Sequence, residues 1–214
     1  MDFYSIAGFP EVSGAVDGVQ IVISNPGGPN AEIYRNRKND FALNVQVVGD
    51  CDLVIRDIVC QWFGSAHDAR IFDSSSIKFR FETGRIRGLL LGDAGYPLKS
   101  YLMTPLANPG TDSEERYNRA HRKTRIVVER LFGCWKRRFP VLKYGIRFSP
   151  DRAAVIIIAA AVLHNICRGM REDREDFTGL EEEENDDWDA RGAEATLAGT
   201  ATRRSIINRH FSIN

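Results

Sequence analysis

Gly88 to Leu91 (GLLL) is a short, uninterrupted apolar run between polar stretches. A strand with large apolar side chains at every position has both faces covered, so this run predicts a strand deep in a helix-covered sheet. The strand candidates before it read differently. Val16 to Ile23 (VDGVQIVI) is β-branched with near alternation and ends in Asn-Pro-Gly-Gly-Pro, a strong turn signal. Phe41 to Gly49 (FALNVQVVG) and Leu53 to Gln61 (LVIRDIVCQ) are separated by Asp50-Cys51-Asp52, which predicts an antiparallel hairpin. Leu102 to Leu106 is a further short strand candidate inside a Pro- and Gly-rich loop. The helix candidates are Asp68 to Gly84, with Asp68 as N-cap, then Asn118 to Phe139, then a segment opened by Pro150-Asp151. That last segment, DRAAVIIIAAAVLHNICRGM, is apolar nearly all round, which predicts a helix central in a core. Antiparallel strands followed by strand–helix alternation give an α/β fold: a mixed sheet, its first three strands antiparallel, flanked by helices.

With 214 residues, 43% hydrophobic and 27% charged, the chain has the composition of a globular domain that needs no disulfide staples. Cys51, Cys60, Cys134 and Cys167 are scattered with no CxxC pair, which reads as free thiols rather than a zinc site. The longest apolar run, Ala153 to Leu163, is eleven residues, so no membrane partner is expected. The zero net charge conceals a division. From Arg116 to Arg152 twelve basic residues face two acidic ones, a net of +10, whereas Arg171 to Ala190 carries a net of −9. The basic block points to a polyanionic partner. Residues 1–170 read as one domain and 171–214 as an acidic, mobile tail, with Arg203 to Phe211 a short terminal helix candidate.

Three carboxylates stand out by position. Asp17 lies inside the first strand, Asp93 just past the C-terminal end of the GLLL strand, and Glu129 among the positive charges of the basic helix. A carboxylate in a core strand is unfavourable unless something positive satisfies it, and a shared divalent metal does this for three at once. Two Mg²⁺ or Mn²⁺ ions can activate water and stabilise the leaving oxygen of a phosphodiester. His121, Arg125 and Glu129 fall at i, i+4 and i+8, on one helix face. The basic surroundings argue against a carboxylate-pair glycosidase, whose neutral sugars need no such charge.

The order Asp17, Asp93, Glu129, with 35 residues between the last two, resembles the DD35E arrangement of DDE transposases. More specific are the strings GAVDGVQI, YRNRKNDFALNVQ, WFGSAHDARIF, LLGDAGYPL, YNRAHRKTRIVVERLFGCWKRRFPVL and VLHNI, with a weaker terminal NRHF. Together they resemble the PIF/Harbinger branch, in particular the Harbinger transposase-derived nucleases, from about Asp2 to Met170. The resemblance implies an RNase H-like fold with Asp17, Asp93 and Glu129 as catalytic metal ligands for two Mg²⁺ or Mn²⁺ ions. It implies DNA phosphodiester hydrolysis, or strand transfer, in the nucleus. It also suggests a Myb-like DNA-binding protein as partner, and leaves oligomerisation open. Full-length family members carry an N-terminal helix-turn-helix-like reader. With Met1 sixteen residues before Asp17, that region is expected to be lacking here.

Arg37 and Lys38, in the family's basic string, read as phosphate contacts, and Arg119, His121, Arg122 and Arg125 as DNA-binding residues on the basic helix. His67-Asp68 reads as a loop closure and helix cap in preference to a metal ligand, His164-Asn165 as a buried polar pair, and Trp62 and Trp135 as core residues. The rival reading is a domesticated, catalytically idle module that binds DNA or protein. Asp93→Asn separates the two, since a binding module should not notice it.

Overall fold

The computed structural model describes residues 2–170 and 194–212; of the tail read as 171–214, the acidic stretch 171–193 lies outside the described residues, while Leu197–Phe211 is helical. A short helix α1 (Tyr4–Ala7) precedes strands β1 (Val12–Val22), β2 (Ala42–Gly49) and β3 (Ile55–Phe63). Helices α2 (Asp68–Asp73) and α3 (Ser76–Glu82) lead to β4 (Leu89–Leu91) and β5 (Leu102–Met103). Then come the long helix α4 (Asp112–Arg138), the single turn α5 (Val141–Tyr144), α6 (Pro150–Gly169) and α7 (Leu197–Ile206). The strands form one sheet in the order β3-β2-β1-β4-β5. β1, β2 and β3 pair antiparallel, while β4 lies parallel to β1 and β5 parallel to β4. This is the mixed α/β architecture expected, and it is consistent with an RNase H-like fold.

Alternation along β1 divides its side chains between two cores. Ala15, Val19 and Ile21 join Leu43, Val45 and Val47 of β2 beneath Val127, Leu131 and Trp135 of α4. Val16 turns the other way, toward Phe72, Ile77 and Phe81 of α2 and α3. Leu90 of β4 lies with that second group, and its neighbours Leu89 and Leu91 pack with Tyr117 and Ala120 of α4. The GLLL strand is therefore covered on both faces, as its composition demands.

Several elements differ from the expectation. The stretch from Asp68 to Gly84 forms two helices, not one. The Ser74-Ser75 pair breaks it, because the Ser75 hydroxyl accepts the Lys78 N–H (3.3 Å) and starts a new helix. Asp68 is the first residue of α2 rather than its cap. Helix α4 begins six residues before Asn118. The Thr111 hydroxyl accepts the Glu114 N–H (3.3 Å), and the Glu114 carboxylate accepts the Thr111 N–H (3.1 Å), a reciprocal capping box.

Helix α6 is not central. It packs chiefly on β3, the edge strand, through Ala153, Ile157, Ala160, Ala161 and His164, and leaves Val155 (69% exposed), Val162 and Ile166 outward. A helix at the margin of a sheet meets it along one stripe only, whatever the composition of its other side. By length and composition α6 could cross a bilayer. Here its polar residues tie it to the sheet. His164 Nε2 donates to the Leu53 carbonyl (2.8 Å), and the Asn165 carboxamide bonds both the N–H (2.9 Å) and the C=O (2.8 Å) of Ile55. The polar pair holds helix to sheet as read, His164 buried and Asn165 half-buried. The terminal helix starts at Leu197, ahead of the expected Arg203, and Ile206, Ile207 and Phe211 pack with Phe9 and Tyr117.

Candidate active site

Parallel pairing of β1 with β4 sets Ala15 beside Leu91. Two residues further along each chain stand Asp17 and Asp93, so the register alone makes them neighbours. The Gly18 N–H donates to Asp17 Oδ1 (2.8 Å), and the Gly95 N–H to Asp93 Oδ1 (3.0 Å). A third carboxylate, Asp68, arrives with the first turn of α2. One oxygen from each of Asp17, Asp68 and Asp93 lies within 4.8 Å of the others. Asn44, buried on β2, uses both amide hydrogens here. One goes to the Ala66 carbonyl (2.9 Å) and the other to Asp68 Oδ1 (2.8 Å), which fixes that carboxylate.

Glu129 stands apart from this trio and is joined to it by Arg125. The Arg125 Nη1 donates to Asp17 Oδ2 (3.0 Å) and Nη2 to Glu129 Oε1. Asp17 and Arg125 keep 16% and 19% of their side chains exposed, against 42% for Glu129. The structure therefore brings together Asp17 and Asp93 and links Glu129 to them through a guanidinium.

Burial dominates the electrostatics. It pushes the Asp17 carboxyl up from 3.8 to about 7. The Arg125 guanidinium opposes that rise, and the charges of Asp93 and Asp68 add to it. Asp68 is also raised by burial; the Asn44 bond and the charges of His67 and Arg37 pull it back. Converging carboxylates, with burial pushing Asp17 and Asp68 toward the neutral form, are hard oxygen donors short of positive charge. Such a set fits Mg²⁺ or Mn²⁺, with Asp17, Asp68 and Asp93 placed to share an ion.

Of the residues read as DNA contacts, Arg37, Lys38, Arg119 and Arg122 are exposed. Arg125 turns inward to the carboxylates. His121 is corrected outright. It is 1% exposed, packed against Phe9 and Tyr117, with Nε2 bonded to the Met103 carbonyl (3.0 Å). Burial lowers its pKa from 6.5 to about 3, so it is a neutral core group with no surface to offer a phosphate. Trp135 is fully buried as read, whereas Trp62 is half-buried beneath the Arg70 guanidinium.

Asp68, read from the sequence as a helix cap in preference to a metal ligand, is the residue the structure adds to the carboxylate cluster. Its trace in the sequence is Gly18, a glycine inside an alternating strand and next to Asp17. A Cβ at position 18 would lie 2.8 Å from the Asp68 carboxyl carbon, so a side chain there would displace that carboxylate.

Comparison with known proteins gives the family. Residues 16–165 match the family described as DDE superfamily endonuclease. The chain is similar to the proteins named "Putative nuclease HARBI1" of Rattus norvegicus (37% identical) and Homo sapiens (35%), in each case over 99% of the chain and 62% of the relative. It is similar also to "Protein ALP1-like" of Arabidopsis thaliana, at 25% identity over 98% of the chain and 55% of the relative. The chain thus spans less than two thirds of the length of these relatives. No solved structure gives a significant match. With 150 of its 214 residues inside that match, this chain belongs to the DDE superfamily endonucleases.

Proposed function

We propose that this chain carries the catalytic region of a DNA endonuclease that hydrolyses phosphodiester bonds with two divalent metal ions, Mg²⁺ or Mn²⁺. The observation that carries the reading is the meeting of Asp17 and Asp93 at the ends of adjacent parallel strands, beside a helix whose outer face presents Arg119, Arg122 and Lys123. When bound, the ions lower the pKa of an attacking water and offset charge on the leaving 3′-oxygen.

The chain's own residues do the rest. Asp17 and Asp93 hold the ions by their oxygens, with Glu129 one guanidinium away as the third family ligand. Arg119 and Arg122, with Arg37 and Lys38 on the turn after the 3₁₀ segment Ala31–Tyr34, hold the nucleic-acid backbone against them. Arg125 keeps Asp17 and Glu129 oriented toward one another. Two further points come from the family alone: work in the nucleus, and targeting by a Myb-like partner.

The test is cleavage of supercoiled plasmid in Mg²⁺ and then Mn²⁺, with EDTA and Asp93→Asn as controls. Metal-dependent nicking that vanishes in the folded variant is the expected result. Absence of cleavage by a folded, Mn²⁺-binding protein would refute the reading. It would favour the idle binding module, for which the observation is Arg125 already spanning Asp17 and Glu129.

A further inference from the structure

Helix α6 keeps an apolar face that no other described element covers. Between Arg152 and Arg168 the sequence holds no Lys, Arg, Asp or Glu. One side of the helix meets the sheet. On the other, Val155, Ile158, Ala159, Val162, Leu163 and Ile166 are exposed, Val162 at 54% and Leu163 at 49%. Spacings of three and four residues put these six on one stripe. An apolar row with no charge to interrupt it marks a docking surface.

We propose that this stripe pairs with the same stripe of a second copy of the chain, the two α6 helices running antiparallel about a twofold axis. Such a contact requires a surface that complements itself, and this one does. Counted from the middle of the stripe, between Ala160 and Ala161, Val155 mirrors Ile166, Ile158 mirrors Leu163 and Ala159 mirrors Val162. Antiparallel packing therefore sets an apolar residue opposite each apolar residue. Beside the axis the small Ala159 lies across from Val162, which lets the helices approach to roughly 8–10 Å.

Charge selects both the direction and the partner. Lys143, Arg147 and Arg152 are exposed around the start of α6, while the sequence after its end, Arg171 to Ala190, carries a net of −9. Antiparallel pairing sets the basic end of each copy against the acidic end of the other, whereas parallel pairing would set like against like. An anionic membrane surface would attract one end and repel the other, so it fits this face less well than a second copy does.

The stripe is also presented rigidly, which lowers the cost of association. His164 and Asn165 tie the helix to Leu53 and Ile55, and Arg138 Nη1 of α4 donates to the His164 carbonyl (3.3 Å). None of the six residues belongs to the carboxylate site, so the inference stands apart from the nuclease reading.

Sedimentation velocity on the whole chain, without nucleic acid or metal, is the test. The expected result is a concentration-dependent dimer at up to about 100 µM. Val162→Glu and Ala159→Lys each put a charge in the middle of the contact and should raise its Kd at least about tenfold, with the parent's circular dichroism retained. Their mixture is the sharper readout. Antiparallel pairing sets position 162 of one copy against position 159 of the other, so mixing the variants should restore the dimer that neither forms alone. If either variant fails to fold, Leu163→Glu with Ile158→Lys repeats the comparison at the next pair. A parent that stays monomeric at about 100 µM overturns the proposal, and its sedimentation with phosphatidylserine vesicles would give the face to a membrane instead. Single variants that dimerise as the parent does, or a mixture no more dimeric than its components, would overturn it equally.

Discussion

Asp17 should weaken the very fold it serves. Its carboxyl titrates at about 7 in the folded chain against an ordinary 3.8, because burial disfavours the anion more than Arg125 favours it. A carboxyl whose folded pKa is raised binds a proton in the native state that the unfolded chain releases. Stability therefore rises as pH falls from 7 toward 3.8, and the full penalty stands above pH 7. A gap of roughly 3 pKa units at about 1.4 kcal/mol each makes that penalty about 4 kcal/mol at pH 8 and under about 2 kcal/mol at pH 5. Asp17→Asn removes it, while Arg125 retains Glu129 as a partner. The metal-free variant should therefore be more stable than the parent by about 3–4 kcal/mol at pH 8, where each kcal/mol is worth roughly 2–4 °C in Tm, and the gap should shrink toward acid. Guanidinium chloride unfolding in EDTA at pH 5 and pH 8 measures it. Mn²⁺ at about 100 times Kd should then return about 2.7 kcal/mol to the parent and nothing to the variant. Equal stabilities at pH 8, or a gap independent of pH, would refute the argument that Asp17 is a buried anion in want of a counter-charge.

Other outcomes follow from single contacts. His121, neutral in the core at a pKa of about 3, has the opposite sign. Below pH 6.5 the unfolded chain takes up a proton that the fold refuses, so stability drops by up to about 1.4 kcal/mol per pH unit. His121→Phe should flatten that slope in denaturant titrations compared with the parent. Asn165→Leu leaves the N–H and C=O of Ile55 without their side-chain partner and should cost about 2 kcal/mol in chemical unfolding. Thr111→Ala removes the hydroxyl half of an exposed capping box and should cost about 1 kcal/mol, read as a lower Tm. If α4 lies along DNA, Arg122→Ala should weaken binding alike for all sequences and reduce the salt slope by about 1, measured by fluorescence anisotropy against ionic strength.

Much of this fold was legible because its signals are local. Alternation marked the first three strands within a few residues of β1 to β3, and the GLLL run placed β4 between covered faces. The capping box of Thr111 and Glu114 was equally local, and attention to apolar spacing from Asn118 onward passed over it. Other features depend on what lies beside a residue in space. Helix α6 is apolar on nearly every side, yet position at the sheet's edge decides which side is covered. His121 shares a helix face with Arg125 and Glu129 by spacing, but Phe9 and Met103, far away in sequence, close over it. At the site, Asp17 and Asp93 announce themselves by their strands. Asp68 looks like one more acid at a helix start until β1 and β2 bring Gly18 and Asn44 against it.

The carboxamide of Asn165 bears on more than the seating of a helix. β3 is an outermost strand, and a polypeptide in search of a partner would attach there by offering an N–H and a C=O to those facing outward from Ile55. Asn165 carries the same two groups on its side chain and already satisfies both. Helix α6 thus closes the first rung of an open ladder with a mimic of the peptide bond, and at that rung one copy of this sheet cannot template the next.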